Sequence, residues 1–365
     1  MNFSRQLLCW YLKSKRDLPW RQTKDPYLIW ISEIIMQQTR IDQGLPYYQK
    51  FVLAWPTVAR LAEADEQEVL KLWQGLGYYS RARNLHATAR MIVELYGGTF
   101  PDTYLSIRNL KGVGDYTAAA IASIAFNLPY PVVDGNVLRF MTRLYGIVES
   151  VDLPSTKRKI LDIAVDNIDH RYPGDFNQAM MEFGARVCTP ANPDCVHCIF
   201  RTNCLAFALR QVESIPARAT KPPLRHRYFH YLVATFEHEN RVYIFLNKRT
   251  GKDIWKNLYD FPQAEKTSGA EKGWPAYERE FGKALHTDQT EYLGVSEPST
   301  CLLTHQKLQM MFYRFHSTEK IDLPFLAVPL NELWHYPFPR PVEKYLSEKF
   351  PLFPGAHCKN PNRAL

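Results

Sequence analysis

Residues Leu110 to Asn136 read LKGVGDYTAAAIASIAFNLPYPVVDGN, and the reading of this stretch decides the fold of the N-terminal half. Leu110-Lys-Gly-Val-Gly114 places two glycines around one apolar residue between two helix-like segments, a hairpin that leaves backbone N–H groups free at a helix start. Such a start suits a phosphate oxygen, so Gly112 and Gly114 are candidate anion contacts. Asp115 stands in position to N-cap the following helix, Tyr116 to Phe126, whose alanines would let another backbone pack closely against it. A helix–turn–helix of no special function has the same outline. The carboxylate Asp134, set soon after in the apolar-flanked run Val132-Val-Asp-Gly-Asn136, sharpens the reading. It is also a natural N-cap for a helix beginning near Asn136, and the two roles are compatible.

The rest of the chain widens from this hairpin. Its 365 residues exceed one typical core, so two domains are expected. Apolar content of 46% with 22% charged residues describes a globular chain with ample core material. The formal charge of +8 favours a polyanionic partner without identifying one. The first twenty-one residues carry Arg5, Lys13, Lys15 and Arg16 and no long apolar run, which excludes a secretory signal, and no segment suits a bilayer span. Seven cysteines, an odd number, argue against a disulfide framework. A cytoplasmic, nucleoid-associated location is expected.

Upstream, Asp25-Pro26 marks a helix start, and Tyr27, Trp30, Ile31, Ile34 and Ile35 recur at a period near 3.6. Glu33 flanks that stripe. By itself it reads as a solvated surface glutamate; buried among Trp30, Ile34 and Met36 it would have a raised pKa suited to a general acid. The uncharged Gln37-Gln-Thr39 beside it is an odd choice for a merely solvated face. Gly75-Leu-Gly-Tyr-Tyr-Ser-Arg-Ala-Arg-Asn84 interleaves glycine, aromatic and basic residues. It reads equally as a loop packed on the core or as a wedge for a base stack with arginines on phosphates. Helices are also expected from Leu85 toward Gly97-Gly98 and around 61–72, 155–168 and 176–187. Nothing before residue 225 reads clearly as a strand, so this region is predicted all-α.

The cysteines Cys188, Cys195, Cys198 and Cys204 have the spacing C-x6-C-x2-C-x5-C in a proline-bearing loop. Four thiolates so placed can enclose one tetrahedral metal ion, zinc included, or one cubane cluster. His197 is read as a surface residue and not as a fifth ligand.

Together Asp17-Leu-Pro-Trp-Arg21, Asp25 to Arg40, Gly75 to Leu85, the hairpin, Asn177-Gln-Ala-Met-Met-Glu182 and the cysteine loop resemble the MutY-type adenine DNA glycosylases, closely over about residues 3 to 208. The resemblance implies an all-α helix-hairpin-helix glycosylase domain over 1–213 whose loop 188–204 carries a 4Fe-4S cluster. It further implies a catalytic pair. Glu33 would protonate the ring of a flipped adenine, and Asp134 would stabilise the oxocarbenium-like sugar, with Tyr116 and Asn136 supporting both. Bifunctional relatives similar to endonuclease III carry a lysine two residues past the second hairpin glycine, where this chain has Tyr116. Base removal without strand cleavage is therefore expected. The family's adenine and DNA contacts map to Trp20, Arg21, Gln38, Leu76, Gly77, Tyr78 and Gln178, with Gln38 and Tyr78 as wedges. The partner implied is double-stranded DNA with A:8-oxoguanine or A:G mispairs, bound by a monomer.

Residues 214–227 form a proline-rich basic linker suited to run along DNA. Strand-like patterns then begin at 228–237, 242–248 and 310–316. With Arg249 to Pro262, they resemble an α+β Nudix-like domain over 228–348, followed by a tail at 349–365. Tyr277-Glu-Arg-Glu-Phe281 lacks the clustered glutamates of a hydrolase box, so this domain should bind and not hydrolyse. The family's lesion-reading tip corresponds to Leu303-Thr304-His305, with leucine in place of an aromatic residue. The rival readings are an endonuclease III-like enzyme for oxidised pyrimidines, a non-catalytic damage binder, and a zinc-stabilised DNA-binding module. Tyr116 with Thr304-His305 opposes the first, and retention of Glu33 with Asp134 opposes the second. Absence of the visible absorption of an iron–sulfur cluster would mark the third.

Overall fold

The structure, a computed structural model, describes residues 3–219, 222–266, 281–285 and 287–350. The chain forms two compact units, one of Met1–Ala64 with Asn84–Lys221 and the other of Asp65–Arg83 with Pro222–Leu365. The first is helical, and no strand precedes Arg225 among the described residues.

In the helical unit α1 is Phe3–Ser14, α2 Pro26–Met36, α3 Ile41–Ala54 and α4 Val58–Glu63. The predicted helix across 61–72 is broken. Ala64 turns extended, and Asp65 caps a new helix, α5 (Glu66–Leu72), by accepting from Gln67 N at 2.7 Å. Then come α6 (Ser80–Tyr96), α7 (Tyr104–Arg108), α8 (Asp115–Phe126) and α9 (Gly135–Leu144). After them lie α10 (Pro154–Asn167), α11 (Pro173–Arg186) and α12 (Leu205–Ala208). Helix α11 is the hub, packing on α1, α8 and α9, while α2 lies on α3 and α8. An aromatic core of Phe140, Phe176, Phe183 and Phe200 joins α9, α11 and the cysteine loop.

The alanines of α8 do permit close approach. Ala118, Ala119, Ala120 and Ala122 are buried, and a Cβ on Gly174 of α11 would stand 2.7 Å from Ser123 O. A Cβ on Gly184 would stand 2.5 Å from Asn136 O, so glycine there also lets α9 begin against α11. The hairpin differs from expectation in one respect. Gly114, and not Asp115, is the N-cap of α8, and no side chain caps it. Asp115 lies one residue inside the helix and its carboxylate turns back to the guanidinium of Arg108 on α7.

In the second unit the strands are β1 (Arg225–His238), β2 (Arg241–Lys248), β3 (Tyr259–Asp260), β4 (Gln263–Lys266) and β5 (Thr290–Val295). They are completed by β6 (Ser299–Leu302), β7 (Gln306–Ser317) and β8 (Leu326–Pro329). The order β3-β2-β1-β7-β5 is mixed, with β1 parallel to β7 and the other pairs antiparallel. Alternate residues of β1 enter two cores, Phe229, Tyr231 and Val233 on one face and Leu232, Ala234 and Phe236 on the other. A strand covered on both faces reads as a continuous apolar run, as this one does. Helix α13 (Arg340–Lys349) covers the first face, where Tyr345 stacks on Phe312 at 3.9 Å.

Strand β1 starts at Arg225, within the stretch read as linker, and Arg227 is buried. Its guanidinium is held by Asp253 at 2.7 Å and Glu265 at 2.6 Å, and so is not free for a phosphate. The segment Asp65–Arg83 is tied into the same unit. Gln67 Nε2 donates to Tyr259 OH at 2.9 Å, Lys71 Nζ to Tyr336 O at 3.0 Å, Tyr79 OH to Phe338 O at 3.2 Å and Arg83 Nη1 to Lys256 O at 2.8 Å. Of Tyr277–Phe281 only Phe281 lies within the described residues, and the expected tail falls outside them after Phe350.

Candidate active site

Helix α2 begins as expected, with Asp25 accepting from Tyr27 N at 2.8 Å and Pro26 in the first turn. The predicted stripe Tyr27, Trp30, Ile31, Ile34 and Ile35 is buried, which turns Glu33 toward α8. Glu33 is half-buried by area, yet its carboxyl is enclosed. Tyr116 OH donates to Oε2 at 2.8 Å and lies 3.2 Å from Met181 Sδ. Burial pushes the Glu33 pKa up to about 7. The Tyr116 hydrogen bond and the charge of Arg21 oppose that rise, and the Asp134 charge adds to it. The Tyr116 hydroxyl is itself driven well above its ordinary range, first by burial and then by both carboxylates.

Asp134 caps α9, as expected. Its Oδ1 accepts from Asn136 N at 2.9 Å and Val137 N at 2.7 Å, and its Oδ2 accepts from Asn136 Nδ2 at 2.8 Å. Burial raises its pKa, while these donors and Arg139 hold the rise back. Asp134 thus has three donors and Glu33 one. The two carboxyls feel each other's charge, and the better-solvated-by-protein member is Asp134, which favours ionisation there and a retained proton on Glu33.

Around the pair, Arg139 Nη2 reaches Asn136 Oδ1 at 3.0 Å and Gly184 O at 2.5 Å, while its Nε donates to Cys188 O at 2.7 Å. Gln178 on α11 is buried and its Oε1 accepts from Tyr11 OH at 3.2 Å. Trp20 lies edge-on to Tyr48 with ring centres 5.0 Å apart, and Arg21 Nη2 donates to Glu182 Oε2 at 2.8 Å. Sequence reasoning missed the roles of Arg16, Arg139 and Glu182 in this frame. A charged residue at an apolar helical position is the signal that could have found Arg139 and Glu182.

The hairpin glycines differ. Gly112 has φ +75° and a Cβ there would stand 2.7 Å from the Asn84 side chain, whereas Gly114 is extended and faces open space. Gln38 is exposed with φ 57°.

The second unit holds its own group of predicted residues. Leu303-Thr304-His305 is the β6–β7 hairpin tip, closed by Leu303 N donating to Gln306 O at 2.8 Å. Thr304 and His305 are exposed, while Leu303 packs partly onto the core. They line one cavity with Gly75–Ser80, Asp253, Trp255 and Arg340. Tyr78, φ 48° and 51% exposed, is hydrogen-bonded through its hydroxyl to Thr304 Oγ1. Gly77 has φ +74°, and Leu76 is only 7% exposed, its side chain turned inward and not to the surface.

The four cysteines line a single cavity with Phe140, Arg143 and Phe183. Arg143 Nη1 lies 3.5 Å from Cys188 Sγ, and Cys204 Sγ lies 3.4 Å from Arg143 O. Burial, with repulsion among the four, pushes Cys198 up to about 11. A cationic centre would favour their thiolate forms. Among the described residues no three ligating side chains converge on one point at the spacing of a single ion. Soft donors of this kind suit a zinc ion or an iron–sulfur cluster alike. His197 is exposed and pairs with Asp194 at 3.0 Å, as a surface residue would.

The profile of the HhH-GPD superfamily of base excision DNA repair proteins matches residues 31–164, and that of the NUDIX domain matches 231–348. The chain is 38% identical over 262 residues to the adenine DNA glycosylase of Buchnera aphidicola subsp. Acyrthosiphon pisum, covering 72% of this chain and 74% of that relative. It is 45% identical over 213 residues to the adenine DNA glycosylase of Rattus norvegicus, covering 56% and 41%. Among solved structures a thermostable thymine-DNA glycosylase superposes with a TM-score of 0.52 at 29% identity, covering 57% of this chain and 95% of that one.

Proposed function

The chain belongs to the adenine DNA glycosylases of base excision repair, and from that premise we propose that it is monofunctional and acts on adenine paired with 8-oxoguanine or guanine in duplex DNA. The observation that carries the chemistry is the pair Glu33 and Asp134, the first hydrogen-bonded by Tyr116 and the second by Asn136, and held in unlike environments. Glu33, with its pKa near 7, keeps a proton to give to a ring nitrogen of the extruded adenine. The bond from sugar to base then breaks with its electron pair leaving on the base. Asp134, ionised, faces the positive charge that develops on the sugar, and water adds there, giving a proton back to the Glu33 carboxylate, to leave an abasic site. Tyr116 offers a hydroxyl where a lyase needs an amine, so the strand stays intact.

Gln178, Trp20 and Arg21 line the base pocket in this reading. Extrusion costs a few kcal/mol, and Gln38 and Tyr78 fill the vacated stack. The uncapped amides at Gly114 receive a phosphate, with Gly112 shaping the turn. Thr304 and His305 contact the base opposite, and Leu303 holds the tip on its core. Cys188, Cys195, Cys198 and Cys204 would hold a 4Fe-4S cluster that neutralises their thiolates and ties the end of α11 to α12. No helix among the described residues is long and apolar enough to cross a membrane. In this reading the enzyme, with a net charge of +8, works as a monomer on nucleoid DNA.

End-labelled duplexes with adenine opposite 8-oxoguanine, guanine or thymine, with and without hot alkali, test the proposal. Scission at the mispaired adenine only after alkali is expected. Scission without alkali, or only at an oxidised pyrimidine, would pass the chain to the endonuclease III-like reading. Tight binding without base release would mark a damage binder.

A further inference from the structure

Glu182 is a buried acid of the helical unit for which the reaction above has no use. Its side chain is 0% exposed on α11, one turn after Gln178. Oε1 accepts from Arg16 N at 3.1 Å and Arg16 Nε at 2.8 Å, and Oε2 accepts from Arg16 Nη2 at 2.5 Å and Arg21 Nη2 at 2.8 Å. Arg186, also on α11, lies 3.8 Å from Oε1 and donates to Ser14 O. Arg21 closes the turn from the other side. Its Nη1 donates to Arg16 O at 3.1 Å, and its guanidinium lies 5.5 Å from the ring of Tyr11, whose hydroxyl holds Gln178.

Every strong contact of this carboxylate therefore ends on the segment Ser14–Arg21 that carries Trp20. We infer that Glu182 is a positioning residue of the base pocket, clamping Arg16 and Arg21 so that Trp20, Arg21 and Gln178 face the adenine in one fixed arrangement. The inference rests on the adenine-excising reading of the site. A buried carboxylate without partners would be costly, and one with such partners is a rigid bidentate fork.

The clamp has an electrostatic consequence that general packing lacks. Arg21 acts on Glu33, whose other charged or titratable neighbours are Tyr116 and Asp134. The groups facing the clamp itself are Arg16, Arg21, Arg186 and Tyr11, with Asp42 acting on Arg16 and Asp175 on Tyr11. Neutralising Glu182 leaves the Arg21 charge uncompensated, which favours the Glu33 carboxylate and lowers the pH at which its proton is lost. Neutralising Arg16 leaves Glu182 freer to offset Arg21, and moves that pH upward.

The test is single-turnover adenine release by the full chain as a function of pH, with duplex affinity measured in parallel. Glu182→Gln should slow release about 30-fold with affinity nearly kept. Its alkaline limb should fall by about half a pH unit. Arg16→Gln should move the limb the other way, and Glu182→Asp should restore the wild-type limb at a reduced rate. Limbs that stay put, or move in the same direction in both glutamine variants, would reduce Glu182 to fold support and overturn the inference. Should Glu182→Gln not fold, the partly exposed Arg16→Gln decides alone by the same upward shift. Glu33→Gln separates the two claims. If the wild type releases adenine and Glu33→Gln does not, normal behaviour of Glu182→Gln sinks only the clamp; if the wild type releases none, the reading beneath it falls.

Discussion

Glu33 and Asp134 are both carboxylates close to backbone and aromatic surface, and what separates them is the number of donors each receives. Three N–H donors reach Asp134 and one hydroxyl reaches Glu33, so burial raises both carboxyls but meets more opposition at Asp134. Glu33→Gln and Asp134→Asn should each slow base release by at least about 100-fold while duplex affinity changes little, because neither side chain meets a phosphate. Normal release by either variant would remove it from the chemistry. Glu33 also carries a stability signature. Its folded pKa of about 7 lies above the ordinary value of 4.5, so the folded state binds the extra proton. Stability linked to this group is full below pH 4.5 and is lost as pH rises through 7. Glu33→Gln should therefore melt higher than the wild type at pH 8, by an amount worth about 3 kcal/mol, with the gain shrinking toward pH 5. Calorimetry at the two pH values reads the sign directly. An equal or lower melting point at pH 8 would mean that the carboxyl is solvated.

At the scale of elements, the hairpin and α8 test how a phosphate site is built. Gly112 needs its left-handed φ, and a Cβ there collides with Asn84; Gly114 has neither constraint. Gly112→Ala should cost about 1–3 kcal/mol of stability together with DNA affinity. Gly114→Ala should leave stability within about 0.5 kcal/mol yet weaken binding to any duplex, matched or mispaired, if the proposed phosphate docks there. If Gly114→Ala bound normally, the phosphate would have to be received elsewhere. This element was legible because glycine spacing, alanine content and a following aspartate are local signals. The capping of α8 was not, since choosing between Gly114 and Asp115 depends on Arg108 drawing the carboxylate away. The pair Glu33–Tyr116 was legible only by resemblance, since its members lie 83 positions apart and periodicity alone favoured a solvated glutamate. Glu182 and Arg139 stayed hidden for the same reason: their partners are distant in sequence, and a buried charge looks like a surface one until those partners are seen.

At the scale of the molecule, sequence order and spatial grouping part company. Change of periodicity near residue 225 marks the shift from helices to a mixed sheet, and β1 and β7 were visible in their apolar runs. What composition could not reveal is that Asp65–Arg83, helical and N-terminal in sequence, groups with the sheet. Its ties include hydrogen bonds from Gln67, Lys71, Tyr79 and Arg83 to residues between Lys256 and Phe338, and nothing in a linear pattern announces them. The same segment supplies Gly77 and Tyr78, whose hydroxyl meets Thr304. A chain cut after residue 221 should thus lose more than the mixed sheet. Those donors would turn to water, and the backbone amides of 65–83 should exchange hydrogen faster than in the full chain, by about tenfold or more for each 1.4 kcal/mol of local stability lost. Amides of α8 and α11, whose packing is internal to the other unit, should keep their protection. Exchange mass spectrometry on the full and shortened chains distinguishes the cases. A uniform rise across both sets would show general destabilisation, and unchanged exchange at 65–83 would show that this segment is held without the sheet. Thr304→Ala in the full chain gives the local counterpart, narrowing the rate difference between 8-oxoguanine and guanine opposite the adenine while 65–83 stays protected. If discrimination vanished only together with that protection, Thr304 would be acting through the segment and not on the base.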